Sequence, residues 1–439
     1  MDHFIALNPP LPCIDVSLGA GFVTALAADG LRVRFVDSTA LQTQGQVNLA
    51  FTSDQSYKFN WHLLGTKDGE LHLSIGERDH PALADLMTLV RKNQHISICA
   101  TTDVEASDRF TGFEHVTLLP KALPELDWSE LDTSTQFLGR KLPLPLLITG
   151  MTGGLARGAE INFRLARAAA AFGIPMGVGS QRVALDNPDH AAIFTVKKAV
   201  PDLFLIGNIG IAQLLQPDAV DLCCRAVDMI EADALAVHVN VLQEVVQVEG
   251  DRNFRGVLAS IAKVAAKLPV PLIVKEVGVG IDPSSAQKLA EAGVKALDCG
   301  GKGGTSWSFI EGERATSEIT RSVAATFRDF GIPTALAVTA LHKSLPQMPL
   351  IATGGIRDGL IVAKAVALGA TACGIGLPLL RAALASDEAP YEVLEIMAKG
   401  LRTAMIVSGA KTLNDLRSRV HCAPAFSDNL ARFTTTRTP

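Results

Sequence analysis

KLPVPLIVKEVGVGIDPSSAQKLAEAGVKALDCGG, residues 267–301, sets the pattern of the chain. An apolar run, Pro271–Glu276, meets glycines. Asp282-Pro283 then opens an Ala-rich helical segment, and a second apolar run follows at Ala296–Cys299. An aspartate before a proline supplies a capping oxygen and a first helical residue with no N–H to satisfy, so the stretch reads strand, loop, helix, strand. The same rhythm extends both ways, with a second capped proline at Asn187-Pro188. Candidate strands are Pro145–Gly150, Pro175–Gly179, Leu203–Gly207, Ala234–Val239, Pro271–Glu276, Ala296–Cys299, Pro349–Thr353 and Ala372–Ile375. A doubly wound sheet would also be built from such units, but eight of them over about 260 residues favour closure into a (β/α)8 TIM barrel.

Upstream the period changes. Residues 1–78 alternate in the β manner at Leu31–Val36, Gln46–Phe51, Tyr57–Leu64 and Glu70–Ile75, which predicts a small β-rich barrel or sandwich. Pro81 opens a helix through about Val90, and a polar stretch, Ala100–Thr111, crosses toward the barrel. The expected organisation is a β module over 1–78, a connecting segment over 79–120, the barrel over 121–425 and a tail over 426–439.

Of the 439 residues 48% are apolar and 19% charged, with mean hydropathy +0.26. This excludes a disordered chain and suits strands buried on both faces. The net charge of −5 gives no field for nucleic acid or anionic lipid. No apolar stretch nears the roughly 20 residues of a membrane span. The N-terminus, Met1-Asp2-His3-Phe4, lacks a basic segment before an apolar block, so no secretory signal is expected. The seven cysteines show no metal-ligand spacing, and adjacent Cys223 and Cys224 suit a helix better than a bridge. A reducing, cytoplasmic compartment is expected.

In a parallel barrel the chemistry lies at the carboxyl ends of the strands. Here those ends carry Met151-Thr152-Gly153-Gly154, Ser180-Gln181-Arg182, Asn208, His238-Val239-Asn240, Lys275-Glu276, Gly300–Trp307, Gly354–Arg357 and Gly376. One such residue is more often a turn or cap; eight converging ends are not. Gly354-Gly355 before a helix, with Gly374 and Gly376 after the next strand, offer bare N–H groups to a phosphate. No GxGxxG fingerprint follows a strand, so one terminal phosphate is expected, not a dinucleotide. Lys275 suits the electron-rich end of a flavin, or else a salt bridge with a neighbouring carboxylate. Asn240, Gln243 and Glu244 group neutral donors with one carboxylate, as Mg²⁺ on a diphosphate requires, or form an exposed helical turn. Arg91, Lys92 and His95 make a cationic cluster, either an anion clamp or a solvated helix end.

The motifs MTGG (151–154), GSQR (179–182), GN (207–208), HVNVLQE (238–244), KEVGVG (275–280), GGTSW (303–307) and GGIRDG (354–359 with the preceding glycine) stand in order, after RKNQH (91–95) and ALPELD (122–127). Over about residues 91–420 the chain resembles the type 2, FMN-dependent isopentenyl-diphosphate isomerases. The resemblance implies a (β/α)8 barrel interconverting isopentenyl and dimethylallyl diphosphates with reduced FMN and Mg²⁺, NADPH serving only as priming reductant. It implies FMN contacts at Met151, Thr152, Gly153, Ser180, Asn208, Lys275, Thr305, Gly355, Ile356, Arg357, Gly376 and Leu377. Substrate contacts are implied at Arg91, Lys92, His95, Ser180, Gln181, Arg182, Asn240 and Gln243, metal binding at Glu244, and catalytic roles for Gln243 and His238. It also implies a homo-oligomer, a tetramer or octamer, with no nucleic-acid or membrane partner.

Two positions depart from the family pattern. Asn93-Gln94 replaces an acidic pair, leaving the cluster more positive, and Lys302 stands before GGTSW where a small residue is usual. An FMN α-hydroxy-acid oxidase or inosinate-dehydrogenase relative is the rival enzyme. The oxidases' histidine-arginine pair is missing after strand six, and Cys299 sits at a strand end and not on a long loop. A non-catalytic flavin or diphosphate sensor is the rival of another class. Residues 1–78 have no counterpart in the usual member. The Asp29-Gly30-Leu31-Arg32 and Asn60-Trp61 turns resemble PilZ-type barrels, without the paired arginines that bind cyclic dinucleotides there. Structural, oligomer-contact and regulatory roles stay open.

Overall fold

The computed structural model describes residues 5–15, 19–27, 30–35, 43–51, 56–67, 70–151 and 156–435. Six antiparallel strands, β1 (Ile5–Asp15), β2 (Gly19–Ala27), β3 (Gly30–Phe35), β4 (Gln44–Ala50), β5 (Ser56–Lys67) and β6 (Glu70–Ile75), close into a barrel in the order β1-β2-β3-β6-β5-β4. The four strands read from alternation are there, and their inward residues Val33, Val47, Leu49, Phe59 and Leu73 are fully buried. The first two strands escaped that reading. Pro9, Pro10 and Pro12 mask β1, which admits them because its pairing with β2 slips between Ala6 and Leu11. Asn60-Trp61 is no turn: it lies inside β5, with the buried Trp61 ring so close to Gly45 that a Cβ there would stand 2.6 Å from it. Asp29 lies outside the described residues.

Helix α1 runs His80–Thr101, well beyond Val90. Its buried face, Leu83, Leu86, Leu89, Val90, Ile96 and Cys99, continues past Arg91-Lys92, so the cationic cluster sits mid-helix and not at a solvated end. Arg381 closes the helix by donating from Nε to the Cys99 carbonyl (3.0 Å) and from Nη2 to that of Thr102 (2.9 Å).

Strand β7 (Val116–Leu118) and the hairpin β8 (Thr135–Phe137) and β9 (Arg140–Leu142) precede the second barrel. Its parallel strands are β10 (Leu146–Ile148), β11 (Met176–Gly177), β12 (Leu205–Gly210), β13 (Ala234–His238), β14 (Leu272–Lys275), β15 (Ala296–Asp298), β16 (Leu350–Thr353) and β17 (Ala372–Ile375). Each pairs with the next and β17 returns to β10, closing a TIM barrel. All eight expected strands are present. Leu147, Ile206, Ile273 and Ile351 fill the interior, with Phe137 and Leu142 of the hairpin packed among them. Asp282 caps its helix as the sequence implies, accepting from Ser285 N at 2.9 Å.

β18 (Val420–Cys422) pairs antiparallel with β7. Within the expected tail, residues 426–435 belong to helix Pro424–Thr435, which buries Phe426 and Leu430 because its apolar face packs on helix Thr334–Ser344. Among the described residues no helix is long and apolar enough to cross a membrane.

Candidate active site

At the carboxyl ends of β10–β17 lies a cavity of about 1270 Å³, partly open to solvent. It is lined by Met151, Ser180, Asn208, His238, Asn240, Gln243, Glu244, Lys275, Thr305, Gly355, Ile356, Arg357, Gly376 and Leu377, and by Arg91, Lys92 and His95 from α1. The strands thus bring together most of the residues picked from sequence. Thr152 and Gly153 lie outside the described residues.

Two picks point elsewhere. Gln181 is fully buried, its Nε2 donating to the Ala226 carbonyl (2.8 Å) and its Oε1 accepting from Asn208 N (2.9 Å), so it braces adjacent strands. Arg182 is 42% exposed and faces Asp186 at 3.5 Å, outside the cavity lining. Its charge still bears on Arg91 and Lys92.

The glycine end of the cavity is a cradle. Gly354 (φ +110°) and Gly355 (φ +73°) hold backbone that L side chains resist. A Cβ on Gly355 would lie 2.7 Å from the Gly303 carbonyl, and one on Gly304 2.6 Å from Gly355 N. Arg357 spans this loop, donating to the carbonyls of Gly355 (2.9 Å) and Gly303 (2.6 Å) and pairing with Glu105. Its Nε is buried without a partner. Gly376 precedes helix Leu377–Ala385, whose first residues, Leu377 and Pro378, line the same space. A narrow glycine loop, a helix terminus and an unsatisfied guanidinium N–H fit a terminal phosphate. Lys275, 8% exposed, donates to the Glu276 carbonyl (3.2 Å) and not to a carboxylate, so its charge faces the cavity. These residues fit FMN.

The opposite side is a charged network. His95 Nε2 stands 3.0 Å from Glu311 Oε1, which also accepts from Gln243 Nε2 at 2.8 Å. Arg314 donates to Glu311 Oε2, to Glu249 (2.8 Å) and, from Nε, to Gln94 Oε1 (3.1 Å). Gln94 therefore reaches Arg314, which settles the contact of one departure from the family pattern. Burial alone would raise the Glu311 carboxyl, but Arg314 and then His95 hold it well below the ordinary range. Glu311 is thus a buried anion, and burial keeps the His95 ring below its usual pKa. Burial, then the charges of Arg91 and Arg182, push Lys92 down to about 7. Burial, then Lys275, Lys92 and Arg91, push His238 down to about 3. His238 is therefore neutral, with Nδ1 2.8 Å from Asn208 Oδ1, and orients that amide. Asn240 Nδ2 donates to Gln243 (3.1 Å) and Glu244 (3.0 Å), while its buried Oδ1 has no partner.

The profile of the FMN-dependent dehydrogenases matches residues 90–187 and 224–423. The isopentenyl-diphosphate delta-isomerase of Nostoc sp. is 46% identical over 330 residues, 75% of this chain and 94% of the relative. That of Archaeoglobus fulgidus is 44% identical over 333 residues, 76% and 95% respectively. The chain belongs to the isopentenyl-diphosphate delta-isomerase family. A mandelate oxidase variant solved with benzaldehyde shares the fold, with TM-score 0.53 and 20% identity over 77% of this chain and 98% of that one. That likeness concerns the barrel alone. Family membership accounts for the joint presence of the glycine cradle and the cationic face, and the relatives' match leaves about a quarter of this chain unaccounted for.

Sequence reading missed several residues of this family site. Glu105 and Gln247 line the cavity, Glu311 and Arg314 stand behind it, and Glu276 and Trp307, named at the strand ends but given no role, line it too. Glu311 lies four residues after Trp307 on helix Trp307–Arg314, a spacing that puts both on one face. Lys302 pairs with Asp108 at 2.7 Å, outside the lining. Cys299 is fully buried, its thiol pushed up to about 12, first by burial and then by Asp298, so it is no nucleophile.

Proposed function

We propose that this protein interconverts isopentenyl and dimethylallyl diphosphates on reduced FMN, with Mg²⁺ joining Glu244 to the substrate diphosphate. The observation that carries the reading is that one cavity is lined both by the glycine cradle and by Arg91 and Lys92 beside the Gln243–Glu311–His95 chain. Among the described residues no cluster of three or more His, Cys, Asp or Glu is placed to hold a metal. Glu244 with the unpaired Asn240 Oδ1 fits an ion that takes most of its oxygens from the substrate.

Moving the double bond of an unactivated alkene adds a proton at one carbon and removes one from another. Reduced FMN, when bound, supplies an electron-rich ring with a proton-carrying nitrogen. The chain binds and orients. Arg91 and Lys92 hold the diphosphate, Glu311 from behind the cavity fixes Gln243 and His95, and Trp307, edge-on to His95 at 5.3 Å, covers one wall. NADPH acts only in priming, because the reaction has no net redox change. The assembly belonging to this reading is a homo-oligomer, a tetramer or octamer, for which exposed Ile319 and Phe330 offer apolar surface. The reading is tested by incubating reduced, FMN-loaded protein with Mg²⁺ and isopentenyl diphosphate and following the vinylidene protons by NMR. Their conversion to dimethylallyl signals is expected; no conversion overturns it.

A further inference from the structure

The accessory barrel meets the substrate clamp at one part-buried carboxylate, that of Asp85. Asp85 and Lys92 are seven residues apart on α1, two turns of helix, and so share a face. The Tyr57 hydroxyl, from β5, donates to Asp85 Oδ2 at 2.8 Å. From the TIM barrel, His190 Nε2 stands 3.1 Å from Asp85 Oδ1, and Asn187 Nδ2 3.4 Å from Oδ2. At the other end of the same segment Lys92 Nζ donates to the Ser180 carbonyl at 2.7 Å. The segment 180–190 after β11 is therefore fastened at both ends to one face of α1, the face that presents the clamp.

Tyr57 and His190 are both buried. The Tyr57 ring stacks on Phe59 (centroids 6.1 Å apart, planes within 4°), and its backbone pairs with Leu49 in β4, so the accessory barrel fixes the hydroxyl. Without it, Asp85 Oδ2 would keep only His190 at 3.2 Å and the longer Asn187 contact. Burial alone would raise the Asp85 carboxyl, yet hydrogen bonds from His190 and then Tyr57 hold it below its usual range, as an anion. Tyr57, Asp85 and His190 all fall outside the stretches that match the dehydrogenase profile, 90–187 and 224–423. The Tyr57 end of the link lies ahead of the first matched residue, 90, and so comes from the accessory barrel.

We propose that Tyr57 is a positioning residue through which the accessory barrel sets the cavity's affinity for a diphosphate. It holds Asp85 in the orientation that fastens segment 180–190 to α1, and so seats Lys92 against Ser180. The proposal rests on the reading of Arg91 and Lys92 as the diphosphate clamp. Its test is made on the full, FMN-loaded chain as wild type, Tyr57→Phe, Asp85→Asn and the double variant. Calorimetry gives Kd for inorganic diphosphate, and kinetics separate KM from kcat for isopentenyl diphosphate.

Tyr57→Phe should raise Kd and KM about fivefold with kcat within about twofold and flavin content unchanged, and adding it to Asp85→Asn should weaken binding no further. An unchanged Kd in Tyr57→Phe, a lowered melting temperature as its sole effect, or fully additive losses would overturn the proposal. A wild type that binds diphosphate without isomerising would fail the functional reading alone, while the Tyr57→Phe shift in Kd would still decide this one. A wild type that does not bind diphosphate would overturn both.

Discussion

Gln243 and Glu311 meet at 2.8 Å, Nε2 to Oε1, joining helix Val241–Val246 after β13 to helix Trp307–Arg314 after β15. The carboxylate is wholly buried and kept charged by Arg314 and His95. Glu311→Gln removes that charge and leaves Arg314 with Glu249 as its remaining carboxylate partner. Breaking a buried pair in this way costs about 3–5 kcal/mol, and kcat should fall as well because the charged acceptor that positions Gln243 is lost. Both a lower melting temperature and a lower kcat are expected, with Gln243→Ala milder in stability. The sign follows from the lowered pKa: the contribution of Glu311 is full above the unfolded carboxyl value and is lost only as pH falls through its depressed value.

Lys92 gives the opposite handle. Its ammonium is held down to about 7, so in the ligand-free protein it is largely neutral above that pH. Diphosphate binding must restore the proton, at up to about 1.4 kcal/mol or tenfold per pH unit. KM should therefore climb with pH above about 7 in the wild type and be high but flat in Lys92→Gln. The same shift makes the ligand-free fold gain stability as pH rises from about 7 toward the free lysine value. A flat wild-type KM profile would show that Lys92 does not meet the anion.

Gly355→Ala tests the cradle. At φ +73° the left-handed backbone costs an L residue about 1–2 kcal/mol, and the new methyl would press on the Gly303 carbonyl. Flavin content after desalting should fall at least about tenfold, since 1.4 kcal/mol is a factor of ten. Retained FMN would place the phosphate elsewhere.

Much of this site is legible in the amino-acid sequence. Parallel strands buried on both faces leave short apolar runs, and their ends carry the glycines and amides that the barrel gathers. What stayed hidden has physical reasons. Polarity at a strand end does not tell which way a side chain turns, so Gln181 reads like Asn208 although it braces backbone. The buried charges Arg91 and Lys92 interrupt the apolar pattern of α1, which makes the helix look as if it ends near Val90 and not at Thr101. Glu311 and Arg314 belong to no motif until the fold brings their helix to α1. The prolines of β1 conceal a strand that only its partners define.

Glu244→Gln removes the charge of the proposed Mg²⁺ ligand while keeping its volume. The Mg²⁺ concentration for half-maximal turnover should rise about tenfold or more with bound flavin unchanged. Loss of flavin in this variant would instead tie Glu244 to the cofactor or to the fold, since it also accepts from Asp251 N at 3.0 Å.

Isomerisation on a reduced flavin would consume no reductant per turnover, so reductant consumed can be counted against product formed. Anaerobic protein, primed with NADPH or dithionite and given excess isopentenyl diphosphate and Mg²⁺, should form many molecules of dimethylallyl diphosphate per reducing equivalent consumed. One equivalent spent per product, or full activity with the flavin left oxidised, would contradict the account.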